Sequence, residues 1–181
     1  LGVPFVFFNV CYDYSMRWIK NLSGRKKIFL ILSVMWMAVI FAMSSRTGNE
    51  STQDSTYIGR MVGTVVVPGF EEMSESQQED YALAIDHIVR KSAHAAEYGL
   101  LGLLLLGIFY DGSVRNCIVA WLLTSAYAAS DEFHQLFVPG RSGQVSDIVI
   151  DSTGALITVL VVAFWVMYNN KTRDDEKERG A

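Results

Sequence analysis

Four uncharged apolar blocks, at residues 28–43, 98–110, 117–129 and 152–168, constrain what this chain can fold into. A soluble domain spreads its apolar residues at the spacing of a core. Here they are concentrated, in a chain of 181 residues that is 51% hydrophobic and holds only three prolines. Such clustering marks a helical membrane protein. No ten-residue segments alternate polar with apolar residues, so a β-barrel is not expected. The length suits one domain, and a formal net charge of -4 points to no nucleic-acid partner. Cys11 and Cys117 are isolated, which implies neither a disulfide framework nor a zinc site. P-loop, GxSxG, HExxH and Cys–His patterns are missing.

Charge sets the orientation. Arg17, Lys20, Arg25, Lys26 and Lys27 crowd the start of the first block, which places the N-terminus in the cytoplasm. The basic leader "MRWIKNLSGRKK" begins at Met16, so residues 1–15 read as an upstream extension. The rival reading is a cleaved signal peptide over 16–44, cut near Ala42-Met43-Ser44. Four spans, at about 28–45, 90–110, 117–137 and 146–168, return the C-terminus to the cytoplasm as a charged, disordered tail over 169–181. The short "DGSVRN" loop with Arg115 also faces inward. Between Ser44 and Arg90 lie eight acids and three bases, as suits an extracytoplasmic loop over 46–89. Within it "VPGF" breaks the chain, "STYIGRMVGTVV" is expected along the outer interface, and "EEMSESQQED" starts a solvated helix that runs into span two. The expected fold is an all-α, integral membrane four-helix bundle with both ends in the cytoplasm.

Span length then forces polar residues inside. A helix needs about 20 residues to cross roughly 30 Å of hydrocarbon. Block 98–110 has 13, and reaches that length only with Lys91, His94 and Glu97. Block 117–129 also has 13, and needs Asp131, Glu132 and His134. Block 152–168 has 17 and needs Asp147 and Asp151. All three deficits fall at the outer end. An ionised group facing lipid costs roughly 2.5–3.5 kcal/mol at mid-bilayer and less near the interface. These groups are therefore expected to turn inward and pair. Helical spacing allows it: Lys91, His94 and Tyr98 share a face, as do Asp131, Glu132 and Gln135, and Asp147 and Asp151. The loop "VPGRSG" adds Arg141 above an outward-facing polar pocket.

The segments "KSAHAAEYGLLG" (91–102) and "DEFHQLFVPGRSGQVSDIVIDSTGA" (131–155) resemble the VanZ-like family of bacterial membrane proteins, over about residues 28–165. Two positions depart from the family pattern. Ala95 replaces an aromatic residue after the histidine, and Thr158 replaces the second glycine of a GxxxG step, which should loosen helix contact at Gly154. The resemblance implies action at the cell envelope and an association with glycopeptide resistance, to teicoplanin more than to vancomycin. It supplies no reaction, because the family has no agreed molecular activity.

Each candidate residue has a functional and a plainer reading. His94 and Glu132 form the leading acid/base pair, since an imidazole beside a carboxylate suits proton transfer near neutral pH. Plainly read, they lock two spans together. Asp131, Asp147 and Asp151 complete the catalytic candidates. With Glu132 and His94 they could instead hold Mg²⁺, Mn²⁺ or Ca²⁺, although their spacing matches no metal motif and no cofactor is otherwise expected. Lys91 and Arg141 suit a phosphate-bearing lipid head group or lipid-linked cell-wall precursor; snorkelling is the alternative for Lys91. Tyr98, Gln135 and Glu97 are substrate-side candidates, the first two orienting neighbours by hydrogen bonds. His134 reads as interfacial, and His87 has no assigned role. Gly99, Gly102 and Gly107 are expected to allow close helix contact, Pro139-Gly140 to form a turn, and Trp36, Trp121 and Trp165 to be ordinary span residues. A homodimer would help shield the charged pocket.

Overall fold

The computed structural model describes residues 19–109 and 113–179, with side chains as far as residue 169. The expected extension over 1–15, Arg17, and the first residues of the "DGSVRN" loop lie outside these. Every element in the described residues is helical. We number them α1 (Gly24–Ser44), α2 (Gly48–Val66), a 3-10 turn (Phe70–Glu72), α3 (Glu75–Phe109), α4 (Val114–Gln135) and α5 (Val145–Arg179).

Local chemistry explains the boundaries. Ser23 caps α1, its hydroxyl accepting from the Lys26 N–H. Thr47 and Glu50 form a reciprocal capping box at the start of α2. The Thr47 hydroxyl and N–H hold the exposed Glu50 carboxyl below its ordinary value. The chain breaks at "VPGF" as anticipated, because Gly69 takes a φ of 75° that side chains resist. From Glu75 a single helix of 35 residues runs to Phe109, joining the acidic segment to the apolar one. The last helix differs from expectation: α5 continues to Arg179, so most of the tail expected to be disordered is helical.

Three helices, α1, α3 and α5, are long and apolar enough to cross a membrane. Their surfaces fit that role. On α1, Val34 and Met35 are about 60% exposed, and on α5 Phe164 is 72% exposed. Such surface is stable against lipid and not against water. The remaining expected span, α4, does not reach the same apolarity. It buries Thr124, Asp131, Glu132 and Gln135 while Ile118, Leu122 and Leu123 stay exposed.

Long α3 is the hub, packing against α1, α2, α4 and α5. Glycines set the closeness of these contacts. A Cβ at Gly154 would collide with the Ala95 carbonyl, and one at Gly107 would collide with the Phe29 ring. The contact at Gly154 is therefore tight despite Thr158. That threonine turns its hydroxyl back onto the Gly154 carbonyl, at 3.1 Å, and fills the space facing Gly99. Gly102 meets Ala155 and Val159. Two of the tryptophans do more than fill a span. Trp36 donates to the Glu97 carbonyl at 2.9 Å and Trp121 to the Ser152 carbonyl at 3.0 Å, tying α1 to α3 and α4 to α5. Trp165 is exposed, as an ordinary span residue would be.

Candidate functional site

The polar ends of α3, α4 and α5 meet under the loop that joins α4 to α5. Helical spacing puts Lys91 and His94 on the face of α3 that meets Asp147 and Asp151 on α5. Lys91 Nζ donates to Asp147 Oδ1 at 2.7 Å. One turn deeper, His94 Nδ1 lies 3.8 Å from Asp151 Oδ1. That distance is ion-pair range, longer than a hydrogen bond. Asp151 is fully buried, and neither of its oxygens has a hydrogen-bond partner among the described residues.

This register departs from the expected pairing. His94 faces Asp151 rather than Glu132. The Glu132 carboxylate is turned the other way. It accepts the Gln144 N–H at 2.8 Å, fastening the start of α5, and a 3.3 Å bond from Gln135. Gln135 also donates to Asp131 Oδ2 at 3.2 Å, so it orients both acids of its own helix, as its spacing predicted. Asp131 takes a second bond from a residue that sequence reading passed over: the buried Ser44 hydroxyl, at 2.7 Å. Its other oxygen, Oδ1, closes no hydrogen bond of good geometry among the described residues. Tyr98 is completely buried beside Asp131, yet its hydroxyl closes no hydrogen bond of good geometry.

The loop is held as firmly as the helices. Gly140, at φ 73°, makes the turn expected of Pro139-Gly140. The Pro139 carbonyl accepts the Gly48 N–H at 3.0 Å, fixing the loop to the start of α2. Arg141 donates through Nε to the Arg46 carbonyl at 3.1 Å, and through Nη2 to the Met43 carbonyl at 3.4 Å. It thus satisfies carbonyls at the end of α1, and among the described residues it forms no ion pair with a carboxylate.

Two small cavities open around these groups. One, of about 120 Å³, lies between α1, α2 and α3 and includes Arg46, Asp54, Glu97 and Ser44 in its wall. The other, of about 100 Å³, lies between α3, the loop and α5 and includes Lys91, Gln135, Asp147 and Asp151. Arg90, His94 and Arg141 line both, so the two are halves of one partitioned cleft. Arg90 was not singled out from sequence, although its i,i+4 relations to Asp86 and His94 were available. Its Nη2 group holds both Asp86 oxygens, at 3.0 and 2.8 Å, and the Thr52 hydroxyl. His87, given no role, reaches the rim of the second cavity. His134 stays outside both; it bonds Ser45 at 3.2 Å and packs on Phe41, as an interfacial residue would.

The cleft thus brings one guanidinium, Arg141, together with an imidazole and a carboxyl group, His94 and Asp151, held 3.8 Å apart. Among the described residues no three of His, Cys, Asp and Glu are grouped to hold a metal ion. Lys91, expected to meet a head group, bonds Asp147, and Glu132, expected to share proton transfer with His94, accepts from Gln144 and Gln135.

A model of the VanZ/LLP1 family matches residues 29–166, well over half of the chain. The chain belongs to the VanZ/LLP1 family. The matched span covers most of α1, all of α2 to α4, the loop and most of α5, and so contains the whole cleft. No curated protein and no solved structure matches this VanZ/LLP1 chain. Three apolar helices and the family together make it a membrane protein.

Proposed function

We propose that this VanZ/LLP1 protein is a four-span bundle of the bacterial plasma membrane. Its cleft opens at the outer leaflet and binds a phosphate-bearing lipid or lipid-linked cell-wall component, which protects the cell against teicoplanin. Arg141 carries the reading. It is a guanidinium with no carboxylate partner among the described residues, and it lines both the mainly apolar half of the cleft and the mainly polar half that holds Lys91, Asp147 and Asp151. Guanidinium is the group best matched to a phosphate diester. Helix α4 serves as the third of the four spans, because its polar residues are buried against neighbours while its apolar ones face out. Both chain ends then lie in the cytoplasm, and the loop with Arg141 lies outside.

In the catalytic form of this proposal, His94 and Asp151 move the proton, and Glu132 positions the loop. Its rival is a non-catalytic binding or gating protein whose cluster holds the bundle or conducts protons. The Lys91–Asp147 bond and the Arg141 contacts to carbonyls favour that rival. The test is the inhibitory concentration of teicoplanin and vancomycin for a sensitive Gram-positive host. It would express wild type, Asp151→Asn, His94→Asn or Glu132→Gln, with membrane levels checked by blot. Protection by wild type, lost in equally abundant His94 and Asp151 variants, supports a working site. Loss only in proportion to protein level supports the structural rival. If wild type matches empty vector, the envelope-protection reading is wrong.

A further inference from the structure

One half of the cleft is lined by a guanidinium and by a buried carboxyl group, and neither is hydrogen-bonded to a group of opposite charge among the described residues. Arg141 donates only to backbone carbonyls and meets no carboxylate in ion-pair contact among the described residues. On the other side, Asp151 has 0% of its surface exposed and both oxygens unpartnered. His94 approaches it only to 3.8 Å, and the nearby ammonium of Lys91 is already taken by Asp147. Asp131, 3% exposed, lies one hydrogen bond behind Gln135 with the buried Tyr98 hydroxyl beside it. An ionised carboxylate only accepts hydrogen bonds, so a buried group of this kind needs a donor. Arg141 and Asp151 both line the cavity of about 100 Å³, so one small ligand can reach both.

We infer that the ligand is zwitterionic, with a phosphate diester against Arg141 and a primary ammonium group against Asp151. The inference rests on the phosphate-lipid reading above and names its head-group class. A primary ammonium has three N–H donors and a compact charge, which suits Asp151 with His94 and Gln135 alongside. A quaternary ammonium has the charge without the donors. A phosphate lipid without an amine would leave Asp151 unmatched, and removing a polar partner from a buried group is what makes such sites selective. Lys91 thus acts by holding Asp147 away from the ammonium position, rather than by gripping phosphate.

The test is native mass spectrometry of the detergent-solubilised full chain titrated with phosphatidylethanolamine, phosphatidylglycerol and phosphatidylcholine, and with soluble glycerophosphoethanolamine. Phosphatidylethanolamine should bind at least tenfold more tightly than the other two lipids. Asp151→Asn should reduce it to the level of phosphatidylglycerol, while Arg141→Gln should weaken all three lipids. Equal binding of phosphatidylethanolamine and phosphatidylglycerol by wild type overturns the inference and leaves the phosphate reading standing. Failure of all three lipids, with no effect of Arg141→Gln, overturns both. If the soluble head group binds as well as the lipid, the zwitterion is upheld and the lipid as its source is refuted. The wild-type comparison decides the matter even if Asp151→Asn fails to fold.

Discussion

A carboxylate inside an apolar bundle needs hydrogen at both oxygens, and Asp131 finds it at one. Ser44 and Gln135 both donate to Oδ2. Removing the serine hydroxyl leaves a buried acceptor with a single long bond, so Ser44→Ala should cost about 1–3 kcal/mol. Chemical denaturation in detergent micelles would measure it. Lys91 and Asp147, each 24% exposed, are a different case. Water still reaches them, so a double-mutant cycle with Lys91→Met and Asp147→Asn should return a coupling of only about 1 kcal/mol. At this scale the sequence was informative wherever partners share a helix. Asp131 with Gln135, and Asp147 with Asp151, are one turn apart and could be read directly. Ser44 stands 87 residues from Asp131, and nothing in its neighbourhood marks it as a donor. The pairing of His94 was misread for a related reason. Spacing says which residues share a face, whereas the register between two helices depends on their crossing.

That crossing is governed by small residues. With Gly154 against the Ala95 backbone, α3 and α5 come close enough for Lys91 to reach Asp147 and for His94 to face Asp151. An alanine at Gly154 should cost about 1–3 kcal/mol by overpacking and should separate both pairs. Gly24→Ala, where a Cβ meets nothing within 4 Å, is the matched control and should be neutral. Thermal unfolding of the two variants checks this. The sequence pointed to Gly154 but took Thr158 as a defect, because it could not show the hydroxyl folding back onto its own helix. At the start of α2 the capping box gives a pH-dependent prediction. The folded-state value of Glu50 lies below its ordinary one. Its contribution is therefore complete above the unfolded value, near 4.5, and is lost as pH falls through the lowered folded value. Amide exchange in the first turn of α2 should speed up over that range. Thr47→Ala should speed it at neutral pH too, for a loss of about 0.5–2 kcal/mol.

For the whole molecule, the all-helical architecture and three of the spans were legible because long uncharged runs leave a chain few alternatives. Helix α4, the proposed remaining span, is harder, since a helix that hides its polar residues inside looks too polar when averaged along its length. The loop was harder still. Its turn was foreseen, but its attachment to Gly48, Arg46 and Met43 joins segments far apart in sequence. This attachment makes the cleft one body, closed below by α3 and α5 and roofed by Arg141. The central claim is that the roof faces the outside of the cell. The direct measurement is labelling of a single cysteine by a membrane-impermeant maleimide in intact cells. Ser142→Cys, in a background with Cys11 and Cys117 replaced by alanine, puts the thiol beside Arg141 on an exposed site. Val114→Cys, 65% exposed at the opposite end of α4, is its counterpart. The account predicts labelling of Ser142→Cys without permeabilisation and of Val114→Cys only after it. The reverse pattern, or labelling of both only after permeabilisation, would contradict an outward-facing cleft.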